Sequence, residues 1–239
     1  MSYPHPGTAH CQALFAKGVK MKVMAINGSP RKNGNTATLL DRALEGAASK
    51  GAATERVDLY DLDFKGCASC FACKRIGGKS YGKCARRDGL KPVLDKISAA
   101  DTLIFGSPIY FGGISGEMHS FLERLVFPYL AYDEKHTMSF PKKIRTGWIY
   151  TMNVPAKWLR LAGYKQLFKQ YQSLMARAFG ASETLVVTDT WQFDDYSKYV
   201  SSMFDPEKKA RRRREVFPRD CEKAFAMGAR VATPPAGRS

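Results

Sequence analysis

No run of this 239-residue chain comes near the roughly 20 consecutive apolar residues that a helix needs to cross a bilayer. The first 20 residues also lack the basic-then-apolar order of a secretory signal. A cytoplasmic protein is therefore expected, one in which six cysteines do not form a permanent disulfide framework. Acidic residues are scarce: 22 Asp and Glu stand against 38 Lys and Arg, a formal net charge of +16 that favours anionic partners. Histidine is rarer still, at four residues. His119 lies in a helical run with no partner evident in sequence, so it is read as structural or exposed rather than catalytic. Two common phosphate motifs are missing from the turn over Asn27 to Thr36. It does not end in Gly-Lys-Ser/Thr, and its glycines are not spaced as in the dinucleotide fingerprint.

That turn nevertheless has the makings of a phosphate cradle. It follows the apolar β-like run Val23 to Ile26 and opens a helix-like run. Gly28 and Gly34 free the backbone, so successive N–H groups can turn toward one anion. Ser29, Asn35 and Thr36 add side-chain donors, and a helix starting near Asn35 directs its positive dipole end to the same place.

A second loop differs in chemistry. The buried-strand pattern Thr102 to Gly106 leads into Ser107-Pro108-Ile109-Tyr110-Phe111-Gly112-Gly113, which is apolar and aromatic, with glycines that let the backbone approach a flat ring. Open parallel sheets bind ligands at the carboxyl ends of their strands, where both loops fall. A phosphate loop beside a ring loop describes a flavin mononucleotide (FMN) site. The segment Tyr150 to Pro155 is the third candidate wall, with Thr151 and Asn153 as hydrogen-bonding groups and Met152 as a packing surface.

Strands are expected near 22–27, 54–60, 102–107, 144–151 and 183–189, and helices near 35–50, 88–99, 115–130 and 163–179. Met118, Phe121, Leu122 and Leu125 recur at helical spacing and form an inward stripe. Five strands alternating with helices suit an α/β doubly wound parallel sheet in the order 2-1-3-4-5. Residues 1–20 are expected to be a loose N-terminal extension, with Met21 as an ancestral start. Residues 21–190 would form the FMN-binding domain and residues 191–239 a C-terminal extension used for packing or oligomerisation, lying on a neighbouring subunit, over the flavin site or on the chain's own core. That last segment is rich in aromatics, and Pro234 to Gly237 suggest a frayed end.

The segments Gly28 to Thr36 and Gly106 to Gly112, with a cysteine cluster between them, resemble the NADPH-dependent FMN reductase and iron–sulfur flavoprotein family of flavodoxin-like proteins over roughly residues 21 to 190. The resemblance implies FMN, with Ser29, Arg31, Asn33, Asn35 and Thr36 holding the phosphate and Pro108, Ile109, Tyr110, Phe111, Gly112 and Gly113 bordering the isoalloxazine ring. It also implies homodimers or homotetramers with sites near subunit contacts. The expected activity passes electrons from NADPH or NADH to a flavin, quinone or other small acceptor. The alternative is an electron carrier exchanging with ferredoxin-like redox proteins.

Cys67, Cys70, Cys73 and Cys84 have the spacing Cys-x2-Cys-x2-Cys-x10-Cys, compact enough for one loop to wrap a metal centre, and a 4Fe-4S cluster is one candidate. The interval before Cys84 is longer than in familiar iron–sulfur flavoproteins. Zinc, free thiols or a dithiol–disulfide switch remain alternatives, the last because Lys65, Lys74 and Arg75 would favour thiolates. Cys11 and Cys221 lack comparable spacing and are read as bystanders. The basic run Lys208 to Arg214 could bind phosphate backbones, yet no nucleic-acid module accompanies it. Attraction of FMN, NADPH or an acidic redox protein is the preferred explanation.

Overall fold

The computed structural model describes residues 20–159 and 163–233. The extension expected before Lys20, Cys11 within it, and the terminus from Pro234 lie outside the described residues. Five parallel strands form the sheet: β1 (Lys22–Asn27), β2 (Ala53–Asp58), β3 (Thr102–Tyr110), β5 (Arg145–Thr151) and β6 (Ser182–Val187), while the short β4 (Gly113–Ile114) pairs back on β3. Their order is β2-β1-β3-β5-β6. Apart from the β3–β4 hairpin, this is the expected 2-1-3-4-5 arrangement of a flavodoxin-like sheet.

The central strands are apolar on both faces because helices cover both. Along β1, Val23 and Ala25 point to one layer and Met24 and Ile26 to the other, following the two-residue period of a strand. The larger layer carries α2 (Lys91–Ala99), α3 (Gly116–Val126) and α4 (Tyr164–Ala178). Met118, Phe121, Leu122 and Leu125, the stripe read from sequence, are all buried there. Helix α3 stops at Val126, short of the expected residue 130, because Pro128 sits in the tighter turn that follows.

The other layer holds α1 (Asn35–Ala48) and α6 (Phe217–Val231), with α5 (Pro206–Glu215) leading into α6. The chain beyond residue 190 thus supplies a core helix: Ala224, Met227 and Val231 pack with Leu40, Ala43 and Ile104. Gly46 and Gly228 let α1 and α6 approach closely. A Cβ on Gly228 would overlap the Ala43 carbonyl, and one on Gly46 would overlap that of Phe225. Gly228→Ala raises helix propensity by about 1 kcal/mol, but separating the backbones is expected to dominate, with a net loss of about 1–3 kcal/mol. Urea denaturation checks this, and an unchanged or higher midpoint would mean that the helices separate at little cost. Among the described residues no helix is long and apolar enough to cross a membrane.

Candidate functional site

The β1–α1 loop is shaped by its own polar groups. Ser29 N–H donates to Asn27 Oδ1 at 3.0 Å, and Asn27 Nδ2 donates to Asp58 Oδ1 at 2.7 Å. Arg31 N–H donates to Ser29 Oγ at 3.2 Å. A Cβ on Gly28 would meet Met118 Cβ at 2.8 Å, so glycine lets the loop lie directly against α3. Ser115 ties the loops together, its Oγ donating to Gly28 O at 2.6 Å while capping α3 by accepting from Met118 N–H.

Helix α1 starts at Gly34 with no side-chain cap. The N–H groups of Asn35, Thr36 and Ala37 have no intrahelical acceptor by position, and Gly34, Asn35 and Thr36 line a cleft of about 300 Å³. On its floor the hydroxyls of Thr36 and Thr151 lie 2.7 Å apart. This donor set fits a phosphate.

The ring loop is a tight hairpin. Phe111 and Gly112 both have positive φ, at 47° and 82°, as a two-residue turn between antiparallel strands demands. The left-handed backbone at Phe111 carries a cost of about 1–2 kcal/mol, and its side chain stands fully in solvent, with Tyr110 half-exposed beside it.

Ser29, Arg31, Asn35, Thr36, Pro108, Ile109, Tyr110, Phe111, Thr151 and Asn153 line this one cleft. Gly112 in the hairpin turn and Gly113 in β4 lie outside its lining, and Asn33 faces an adjoining cavity. A fourth wall of Thr190, Gln192 and Phe193 was not among the sequence candidates. Arg31 Nη1 donates to Gln192 O at 2.6 Å and Asn35 Nδ2 to Trp191 O at 2.8 Å, joining that wall to the phosphate loop.

Lys209, only 4% exposed, places its ammonium against Asn153 O, Asn153 Oδ1 and Asp189 Oδ1. It fixes the ends of β5 and β6 where they border the cleft, and it engages the Asn153 side chain otherwise free to meet a ligand. Arg213 Nη1 donates to Asn35 Oδ1 at 2.9 Å, and Arg212 pairs with the buried Asp220 at 2.7 Å. Much of the basic run is therefore tied inward. His119 is exposed, 3.5 Å from Tyr171 OH and 3.8 Å from Glu123.

The four clustered cysteines line a separate narrow cavity of about 20 Å³ beside Arg124 and Phe127. Among the described residues, no three His, Cys, Asp or Glu side chains stand close enough to hold a metal ion. The candidate ligands thus share a cavity but do not fit a cluster as they stand. The thiolate expectation needs correcting at Cys73. Burial pushes its thiol up, outweighing the charge of Lys74, and Cys67 and Cys70 push it further. The Lys74 ammonium is instead directed to the carbonyls of Phe127, Pro128 and Leu130, beyond the end of α3.

The family model for NADPH-dependent FMN reductase matches residues 21–143. An iron–sulfur flavoprotein of Methanocaldococcus jannaschii is 40% identical over 104 residues, 44% of this chain and 51% of that protein. One from Archaeoglobus fulgidus is 36% identical over 104 residues, covering 44% and 48% respectively. The chain thus spans about half the length of the curated relatives it matches. Among solved structures, an NAD(P)H:quinone oxidoreductase from Methanothermobacter marburgensis superposes with a TM-score of 0.65 at 14% identity, over 88% of this chain and 98% of that one. An FMN-dependent NADH-azoreductase from Bacillus anthracis, in complex with FMN, gives 0.59 at 13% identity, over 89% and 100%. These two likenesses concern the fold alone.

Proposed function

This chain belongs to the NADPH-dependent FMN reductase family, and from that membership we propose that it is an FMN-containing oxidoreductase passing electrons from reduced nicotinamide to a flavin, quinone or other small acceptor. The uncapped start of α1 facing an aromatic hairpin across one cleft carries this reading. FMN, when bound, supplies hydride acceptance and electron release, singly or in pairs. The chain supplies the rest. Ser29, Arg31, Asn35, Thr36 and the first N–H groups of α1 hold the phosphate, with Asn33 at its outer side. Pro108 to Phe111 border the ring, Gly112 and Gly113 shape their turn, and Thr151 and Asn153 close the inner side. Tyr110 and Phe111 limit water access to the ring. No side chain is assigned proton transfer. A homodimer or homotetramer is the proposed assembly, with Phe111 near its contacts.

Full-length FMN-loaded protein is expected to consume NADPH or NADH rapidly when a quinone or free flavin is supplied. Failure of both nucleotides to reduce the bound flavin would reject the nicotinamide-dependent reaction. A second reading starts from the Cys-x2-Cys-x2-Cys-x10-Cys spacing and from the relatives named iron–sulfur flavoproteins: after a rearrangement of their loop, Cys67, Cys70, Cys73 and Cys84 would hold a 4Fe-4S cluster, and the protein would exchange electrons with ferredoxin-like partners. Anaerobically prepared protein would then contain iron and acid-labile sulfide, both reduced by a Cys→Ser change at any of the four positions. Flavin-loaded protein without iron after anaerobic reconstitution would reject the cluster, and zinc without sulfide would make the loop a structural staple.

A further inference from the structure

On the outer side of the phosphate loop lies a second cavity of about 490 Å³, within the size range of small-molecule sites. Arg31, Asn35 and Phe193 line both this cavity and the cofactor cleft, so the two share a wall. Trp191, Tyr199 and Arg213 belong to the second cavity, along with a single acid, Asp194.

Its two guanidiniums come from distant parts of the chain, and each gives one nitrogen to a hydrogen bond, Arg31 to Gln192 O and Arg213 to Asn35 Oδ1, while the Arg213 plane also lies over the Phe217 ring at 4.0 Å. Among the described residues neither forms an ion pair. Each guanidinium carries five N–H donors, so most of its donors remain to grip a phosphate in the forked geometry that arginine favours. Asp205 and Asp220, two of the acids near α5, are engaged by Lys208 and by Arg212 and Lys223 instead. The aromatic side has a planar surface to offer. Phe193 and Tyr199 stack with centroids 4.1 Å apart and planes 12° from parallel, and Tyr199 remains 53% exposed. Such a face can take another flat ring by offset stacking.

We propose that this cavity is an adenylate subsite, binding the adenosine phosphate half of a dinucleotide whose other half reaches the cofactor cleft. Arg31 and Arg213 hold the phosphate, and the adenine lies against the Tyr199 side. The proposal rests on the flavin reading of the adjoining cleft. Two dinucleotides present this chemistry there: FAD, through the phosphate next to its flavin, and the reduced nicotinamide dinucleotide.

The test compares the full-length protein with its Arg213→Ala and Tyr199→Ala variants, the second lying on a separate exposed segment in case the first disturbs α5. FMN and FAD affinities are measured on flavin-depleted protein. The FMN-loaded protein is then titrated with 5′-AMP and assayed with NADPH. If FAD supplies the adenylate, FAD binds more tightly than FMN and both variants reduce the difference, by about 10-fold or more for the charged hydrogen bond lost in Arg213→Ala and by about 2-fold to 10-fold for the stacking lost in Tyr199→Ala. If the nicotinamide dinucleotide supplies it, 5′-AMP competes with NADPH, and the variants raise KM by a similar factor more than they lower kcat. The proposal is overturned if FMN binds but FAD binds no more tightly, and 5′-AMP at millimolar concentration neither binds nor competes. It is equally overturned if such binding occurs and neither variant weakens it. Failure to bind any flavin would instead reject the underlying flavin site.

Discussion

Replacing Ser29 and Thr36 together by Ala is expected to weaken FMN binding by about 150-fold to 25,000-fold, since each hydrogen bond lost to a charged phosphate is worth about 1.5–3 kcal/mol. Both side chains are buried at the mouth of the uncapped α1, where water replaces a lost donor poorly. Their neighbours complicate a simple affinity measurement. Ser29 Oγ also accepts from Arg31 N–H, and loss of Thr36 Oγ1 leaves the Thr151 hydroxyl without its partner. Riboflavin separates these effects, because it has the ring and ribityl chain but no phosphate. A general disturbance of the cleft would weaken both ligands alike, whereas loss of phosphate contacts weakens FMN far more. Fluorescence titration of both ligands against the double variant decides this, and equal weakening would reject the phosphate assignment. Thr36→Ser, which keeps the hydroxyl, is expected to retain most of the affinity for FMN.

Arg124→Met should be the most damaging single change to stability, at about 3–5 kcal/mol, the usual cost of removing one partner from a buried ion pair. Arg124 is 1% exposed on α3. Its Nη1 and Nη2 reach both carboxylate oxygens of Asp88 at 2.5 and 2.9 Å, Nη1 also donates to Lys65 O at 3.1 Å, and Nε donates to Cys84 Sγ at 3.3 Å. One guanidinium therefore pins both ends of the segment that carries the four clustered cysteines. A methionine fills similar space but leaves the Lys65 carbonyl without its donor and Asp88 with only Leu90 N–H at 3.2 Å and Arg86 at 3.5 Å. Thermal or urea denaturation should show the loss, with the melting temperature falling about 2–4 °C per kcal/mol for a chain of this size.

The same pair sets a pH dependence. Burial would raise the Asp88 carboxyl, but the hydrogen bonds and charge of Arg124 outweigh it and hold the group below its usual 3.8. A depressed carboxylate contributes stability that is full above the unfolded-state value and is lost as pH falls through the lower folded-state value. The penalty of Arg124→Met should accordingly be largest near about pH 7 and shrink toward about pH 3. A penalty that does not change with pH would mean that Arg124 acts through packing alone.

The shapes of the β1–α1 turn and of the β3–β4 hairpin were legible because they are local. Gly28, Gly34 and the donors between them shape a turn within ten residues, and the Phe111-Gly112 turn likewise needs only its own backbone. Cysteine spacing was equally plain, but spacing does not say how near four sulfurs come. Their placement depends on Arg124, Glu123 and Lys74, with Glu123 Oε2 accepting from Cys67 N–H 56 residues away. The basic run after residue 207 read as one charged patch because sequence carries no record of where each side chain turns. In the folded chain Lys209 is buried under the cleft, Arg212 meets Asp220, and Arg213 reaches Asn35 across 178 residues.

What the sequence by itself determined is the doubly wound sheet and the two loops at its carboxyl edge. Two-residue and helical periodicities mark which faces must leave water, and glycine, proline and capping residues mark where the chain turns, all over a few residues. Only the tertiary structure decided that α6 completes the layer beside α1, that residues 190–193 form a fourth wall, and that one arginine anchors the cysteine segment. Those outcomes depend on long-range closure, in which a buried charge or close-packed backbone is stable only beside a partner far away in sequence.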